Sequence, residues 1–301
     1  MQKTLISIIG STGIGKTKLA IEMAKHFGTE IISCDSRQFF KEMKIGTATP
    51  TDEELAQAKH HFIGHLSVQD YYSIGQYEED ALEKIEEIFE KNDFAVLVGG
   101  SMMYEKAVVE GLNDLPEANA ENQKNLQRIL DEEGLEKLQE ILKNLDEEYY
   151  NVVHKENPRR LLRAIDVIWQ TGRKYSEIIA EPKHKRDFKV IRIGITAPRE
   201  IMYERINLRV DKMLENGLID EVKSLTEYQK LVPLQTVGYT EIFKYLEGTW
   251  DLDFAVEEIK KNSRRYAKRQ ETWNRKVENV TWLPYDYSEE QLHEILSKIE
   301  K

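Results

Sequence analysis

Two hydrophobic patterns alternate along the chain: short continuous apolar runs, and longer segments whose apolar positions recur every three or four residues. The run Leu5 to Ile9 is of the first kind, as expected of a strand covered on both faces of a parallel sheet. A glycine-rich stretch follows it, and a helical pattern then runs from Lys16 to Phe27. Glu30 to Asp35 reads as a second strand, ending in the polar tetrad Asp35, Ser36, Arg37 and Gln38. Apolar residues at Ile74, Tyr77, Ala81, Leu82, Ile85, Ile88 and Phe89 predict a helix from about Ile74 to Lys91. Phe94 to Val98 is another continuous run, closed by Gly99 and Gly100.

From about Leu115 to Glu181 the pattern is helical without a convincing strand. Its first part, Glu117 to Glu148, is acidic, and its second carries Arg159, Arg160, Arg163, Arg173 and Lys174. Strand character returns at Phe188 to Ile195. Pro198 suits the first turn of the next helix and Gly217 a cap at its end. A long helix from about Leu252 to Val277, a strand from Val280 to Tyr285 and a terminal amphipathic helix complete the series. The expected architecture is α/β, a core of parallel sheet flanked by helices over residues 1–115 and 188–301, with a mainly helical insertion over 116–187. No internal repeat or low-complexity linker interrupts it.

The chemistry concentrates in GSTGIGKT, Gly10 to Thr17, between the first strand and the first helix. Gly10, Gly13 and Gly15 permit a backbone that curls its N–H groups round an anion at the positive end of a helix. Ser11, Thr12 and Ile14 complete that cradle, Lys16 adds a mobile charge, and the Thr17 hydroxyl suits Mg²⁺ on a phosphate oxygen. The pattern predicts a di- or triphosphate ligand in a P-loop fold, without saying whether a phosphoryl group is transferred, hydrolysed or lost. Asp35, beyond a neighbouring strand end, belongs in the same crevice as a candidate functional carboxylate; its alternative role is to cap the following turn. The strand Phe94 to Val98 ends in two glycines where phosphate-loop hydrolases often carry a metal-positioning aspartate, which disfavours a motor or a GTPase. Arg205 and Arg209, four residues apart on one helix face, point either at solvent or at the phosphates.

Charge distribution changes the picture more than its sum. The chain has 301 residues, 40% hydrophobic and 32% charged, with a net charge of −11. It reads as a globular protein without a membrane span or a secretory signal, and a single cysteine, Cys34, fits an inert buried thiol in a reducing cytoplasm. An acidic chain is a poor partner for a polyanion, yet Lys260, Lys261, Arg264, Arg265, Lys268, Arg269, Arg275 and Lys276 share one segment with a single acid, Glu271, and with Tyr266 and Trp273 interleaved. Such a one-signed run is either a solvated helix face or a surface for phosphate, and the self-repulsion it costs inside an acidic chain favours a nucleic-acid backbone surface. His60, His61 and His65 lack partners for a zinc site, and Tyr71, Tyr72 and Tyr77 suit either stacking on a base or filling the core, with the core as the default.

These segments together resemble the tRNA dimethylallyltransferase family across nearly the whole chain. GSTGIGKT is similar to its diphosphate loop and DSRQ, Asp35 to Gln38, to the segment with its catalytic aspartate. GTATP at Gly46 to Pro50, His60–His61, VGGSMMY at Val98 to Tyr104, NPRRLLRAI at Asn157 to Ile165, TVGYTE at Thr236 to Glu241 and RRYAKRQETW at Arg264 to Trp273 follow in the family's order. The sequence departs from the usual family pattern at Ser11, Ile14, Phe39–Phe40, Thr49, Gly64 and Met102. The resemblance implies Mg²⁺-dependent transfer of a dimethylallyl group from dimethylallyl diphosphate to the exocyclic amine of the adenosine 3′ to the anticodon, in tRNAs reading codons that begin with U. It implies Asp35 as base, with Lys16, Thr17, Arg205 and Arg209 on the leaving diphosphate. The tRNA anticodon stem-loop would lie along Asp35 to Gln38, Arg159, Arg160, Arg163, Gln235, Gly238, Tyr239, Arg264, Arg265, Lys268 and Arg269. Nothing in the sequence requires more than a monomer. Two rivals remain on the residues alone, a P-loop kinase of small molecules and a nucleotide-gated RNA-binding protein.

Overall fold

A computed structural model describes residues 2–300. The chain forms β1 (Thr4–Gly10), α1 (Lys16–Phe27), β2 (Ile31–Ser33), α2 (Asp52–Gln57), β3 (His60–His61), α3 (Ile74–Phe89), β4 (Phe94–Val98) and α4 (Met102–Glu110). Five helices follow, α5 (Ala120–Glu133), α6 (Leu135–Leu145), α7 (Glu147–Val152), α8 (Pro158–Thr171) and α9 (Tyr175–Ala180). The remainder is β5 (Lys189–Thr196), α10 (Arg199–Glu215), α11 (Leu218–Ser224), α12 (Tyr239–Leu246), α13 (Leu252–Asn274), β6 (Val280–Pro284) and α14 (Glu289–Ile299). The chain divides into two compact units, one running to Val109 and resuming at Arg186, the other Glu110–Lys185.

In the first unit, and among the described residues, six strands form one parallel sheet in the order β3-β2-β4-β1-β5-β6. The continuous apolar runs are explained by burial on both sides. Leu5 of β1 and Ala95 and Leu97 of β4 face a core built with Tyr77, Ala81 and Ile85 of α3. Their neighbours Ile6, Ile8, Val96 and Val98 face the opposite core, closed by Leu19, Ala20 and Met23 of α1 and by Ile295, Leu296 and Ile299 of α14. Ser7 breaks the apolar run of β1. Its buried hydroxyl donates to Glu105 Oε1 of α4 at 2.8 Å, and Arg192 Nε of β5 donates to the same oxygen at 3.1 Å, so the polar groups under the sheet are satisfied.

Several local expectations shift. The second strand stops at Ser33, although Cys34 N still donates to Val98 O at 2.8 Å, because the chain turns at Asp35. Pro198 stands just before α10 rather than within its first turn, and Gly217, at φ 96°, opens α11 one residue past the Asn216 cap. Tyr77 is fully buried, its hydroxyl donating to Ser33 O at 2.9 Å, whereas Tyr71 is 71% exposed and does not join the core. Cys34 is buried and outside any disulfide, with burial raising its thiol pKa well above the usual range. No helix among the described residues is long and apolar enough to cross a membrane.

The second unit is a helical cluster around Leu126, Leu138, Leu142, Leu161 and Ile165. Asp166, fully buried, organises it by accepting from Asn122 Nδ2 and Gln170 Nε2, each at 3.0 Å.

Candidate active site

The sheet delivers three loops to one place, the carboxyl ends of β1, β2 and β4. The β1–α1 loop is shaped by Gly13 at φ 76° and Gly15 at φ 112°, where a side chain would be strained. Gly15 is the N-cap of α1, with no capping side-chain bond and no acidic residue in the first turn, so the N–H groups and the positive end of the helix dipole remain available to an anion. Lys16 Nζ donates to Gly10 O at 3.0 Å and Ser11 O at 2.8 Å, using two of an ammonium's three donors. Burial pulls its pKa from 10.5 down to about 8, the Asp35 carboxylate working in the opposite direction and the Arg209 charge reinforcing burial.

Both arginines of α10 reach this loop. Arg209 Nη1 donates to Thr12 Oγ1 at 2.9 Å and its Nη2 to Thr47 O at 3.1 Å. Arg205, more exposed, donates from Nε to Gly13 O at 2.9 Å and lies over the Tyr285 ring at 5.9 Å. Arg209 is thus drawn to the loop, while Arg205 touches it and remains exposed to solvent. Burial lowers the Arg209 pKa and Asp35 opposes that shift, which leaves an arginine charged at any physiological pH.

Asp35 makes the turn contact that the sequence allowed and also faces the crevice. Its Oδ1 accepts from Arg37 N at 3.1 Å, closing the turn after β2. It also lines a cavity of about 330 Å³ with Thr12, Thr47, Arg209 and Tyr266. An apolar wall of Ile206, Val210, Met213, Val237 and Ile259 lines the same cavity. A carboxylate, Thr12 of the glycine-rich loop and an apolar wall thus line one partly open cavity, a lining suited to a phosphate ester with a hydrocarbon part. Among the described residues no three His, Cys, Asp or Glu side chains gather as a metal cage. Thr17, beside Lys16 in the first turn of α1, supplies a single hard oxygen, which suits Mg²⁺ held jointly with phosphate oxygens.

The remaining expected residues divide. Ser36 N and Oγ bond to Ser101 Oγ at 3.0 and 2.9 Å, and Gln38 Nε2 donates to Thr47 O and Ala48 O, both at 3.2 Å, so these two brace neighbouring loops. Arg37 lines the cavity. Tyr239, expected along the RNA, is fully buried instead; its hydroxyl donates to Glu221 Oε1 at 2.7 Å and its ring lies under Gly46. Gly238 is buried as the cap of α12, while Gln235 stays exposed and donates to Gln229 O at 2.5 Å.

The basic run also separates. Lys260 pairs with Asp211 at 2.8 Å, Lys261 with Glu258 at 2.6 Å, and Arg264 Nη1 donates to Asn207 Oδ1 at 2.6 Å. Arg265, Lys268 and Arg269 are exposed and, with Trp273 and Lys276, line a groove of about 380 Å³. In the second unit Arg159 and Arg160 are exposed on α8, but Arg163 turns to Pro116 O at 2.5 Å and Asp166 Oδ2 at 3.4 Å.

Sequence reasoning missed Gln270, Ser101 and Glu221 as individual residues. Gln270 bonds to Thr12 N and Gly100 O, and Glu221 accepts from Ile45 N at 2.7 Å and Gly46 N at 2.9 Å. The available signal for Gln270 was a polar residue on the apolar face of α13, three positions after buried Ala267.

The fold and loop define a P-loop α/β protein in which the glycine-rich loop borders a partly apolar cavity. The chain belongs to the IPP transferase family, whose model matches residues 38–277. It is 50% identical over 300 residues to the tRNA dimethylallyltransferase of Christiangramia forsetii, covering 99% of each chain. It is 45% identical over 280 residues to tRNA dimethylallyltransferase 1 of Bacteroides thetaiotaomicron, 93% of this chain and 91% of that one. Among solved structures it is similar to the full-length tRNA isopentenylpyrophosphate transferase of Bacillus halodurans, at 35% identity and a TM-score of 0.73, covering 99% of this chain and 96% of that one. A eukaryotic dimethylallyltransferase solved acting on tRNA aligns at 27% identity and a TM-score of 0.85, over 99% of this chain and 78% of that one.

Proposed function

We infer that this protein is a tRNA dimethylallyltransferase, moving a dimethylallyl group from dimethylallyl diphosphate to the N6 amine of the adenosine 3′ to the anticodon. The observation that supports the reading is the cavity shared by Asp35, Arg209 and Thr12, where the carboxylate would serve as proton acceptor beside the leaving diphosphate. The amine nitrogen attacks the allylic carbon, the carbon–oxygen bond breaks, diphosphate leaves with the electron pair, and the amine proton passes to Asp35.

Negative charge grows on the diphosphate as it leaves. Lys16, Arg209, Arg205 and the loop N–H groups would stabilise it, being already oriented before reaction. Mg²⁺, when bound by the Thr17 hydroxyl together with diphosphate oxygens, would neutralise part of the same charge. The apolar wall around Met213 would receive the prenyl chain and keep water from the allylic carbon. An adenine amine is a weak nucleophile, so alignment contributes much of the rate. The base must also leave its stack, which a loop nucleotide does at low cost.

The tRNA backbone would run along the exposed face of Arg265, Lys268 and Arg269, with Arg159 and Arg160 as further phosphate contacts. The enzyme would act as a monomer in the cytoplasm. The test is incubation with Mg²⁺, labelled dimethylallyl diphosphate and unmodified tRNA, with a parallel reaction holding ATP and no prenyl donor. Label on an anticodon-loop adenosine is expected; phosphate moving from ATP to a small acceptor would replace the reading with a kinase.

A further inference from the structure

Gln270 is a polar side chain in an unusual place. It lies on the inner face of α13, 1% exposed, beneath the helix segment whose outer face carries Arg265, Lys268 and Arg269. Its amide uses both ends on loops of the candidate site: Oε1 accepts from Thr12 N at 2.8 Å, and Nε2 donates to Gly100 O at 2.7 Å. Tyr266, one turn earlier, donates from its hydroxyl to the same carbonyl at 2.8 Å.

Each bond leads on to a group of the proposed chemistry. The Thr12 hydroxyl accepts from Arg209, so the amide and the guanidinium hold one residue of the phosphate loop from opposite elements. Gly100 lies between Gln270 and Asp35. A Cβ added there would meet Asp35 Oδ2 at 2.8 Å and Gln270 Nε2 at 3.3 Å, so the backbone that Gln270 fixes is the surface against which the carboxylate rests. A buried amide that satisfies a donor and an acceptor from two separate loops is costly to replace, because either loop group would otherwise be left unpaired.

We propose that Gln270 is a positioning residue for both halves of the transfer, fixing the phosphate loop through Thr12 N–H and the Asp35 carboxylate through Gly100. The proposal deepens the prenyl-transfer reading and rests on it. It separates Gln270 from Tyr266: both hydroxyl and amide reach the Gly100 carbonyl, but of the two it is Gln270 that also bonds the phosphate loop, whereas Tyr266 lines the cavity beside Asp35.

The experiment compares the intact wild-type chain with Gln270→Met, which keeps the length and volume of the side chain but removes both bonds, and with Tyr266→Phe. Inorganic diphosphate binding is measured by calorimetry, and kcat and donor KM by transfer to tRNA. Gln270→Met is expected to weaken diphosphate binding and raise donor KM about tenfold, and to lower kcat by at least as much. Tyr266→Phe should lower kcat with donor KM and diphosphate affinity within twofold of wild type. tRNA affinity should hold in both. Folded Gln270→Met with wild-type diphosphate affinity, kcat and KM would overturn the proposal. If Gln270→Met does not fold, Tyr266→Phe decides through its split: equal changes in kcat and donor KM would overturn the assigned path. A wild-type chain that binds diphosphate but transfers no prenyl group would instead contradict the functional reading, with the diphosphate affinities still testing the hold on the loop.

Discussion

The backbone of Gly100 packs against the carboxylate of Asp35 so closely that a methyl group on Gly100 would stand 2.8 Å from Oδ2. The two glycines after β4 both answer a close approach: Gly99 is tighter still, since a Cβ there would come within 2.4 Å of the Cys34 carbonyl carbon and 2.7 Å of Asp35 N. A strand-end side chain would displace the turn that carries Asp35.

Gly100→Ala should accordingly lower kcat by roughly ten- to a hundredfold through a shift of the carboxylate of less than about an ångström. Steady-state kinetics beside a thermal melt would check it. A folded variant with unchanged kcat would mean that Asp35 does not need this close approach.

The low pKa of Lys16 gives a pH dependence with a defined sign. The free protein loses this charge as pH rises through about 8. Diphosphate favours the charged form, so its affinity should fall above pH 8 by up to about tenfold per pH unit, and the fall should vanish in Lys16→Met. Stability runs the other way. The folded pKa lies below the ordinary 10.5, so in the absence of ligand this group adds stability as pH climbs from about 8 to 10.5 and adds none below. Calorimetric titration from pH 7 to 9.5 would read the first effect.

Two arginines adjacent in sequence should behave differently. Arg265 is exposed, whereas Arg264 is bound to Asn207 of α10. Arg265→Gln with Lys268→Gln should weaken tRNA binding and flatten its salt dependence by about one unit of log–log slope for each phosphate no longer neutralised. Arg264→Gln should leave the salt slope nearly unchanged and lower the melting temperature, since it removes a bond between helices at a cost of about 1 kcal/mol. Filter binding across a salt series distinguishes the two.

What was legible in the sequence was mostly local. The glycine-rich loop, the strand before it and the helix after it are one continuous segment, so spacing and context determine the conformation together. Asp35 was legible because strand ends collect ligands in parallel sheets. The direction of individual charges was not. Arg163 and Arg264 belong to basic patterns, yet Asp166, one turn along the same helix, and Asn207, on another helix, draw them inward. The segment of Tyr239 reads as an RNA contact, but its partner Glu221 lies 18 residues away and also holds the backbone of Ile45 and Gly46. Gln270 reaches Thr12 across 258 positions of sequence, a pairing that periodicity does not encode.

The most direct test of the account is single-turnover transfer of labelled dimethylallyl diphosphate to unmodified tRNA by Asp35→Asn, a substitution that keeps an oxygen for the Arg37 N–H. Transfer is expected to fall on the order of a thousandfold, with diphosphate and tRNA affinities within a few-fold of wild type. Label appearing on the adenosine at close to the wild-type rate would contradict it, because the cavity would then hold no essential proton acceptor at Asp35.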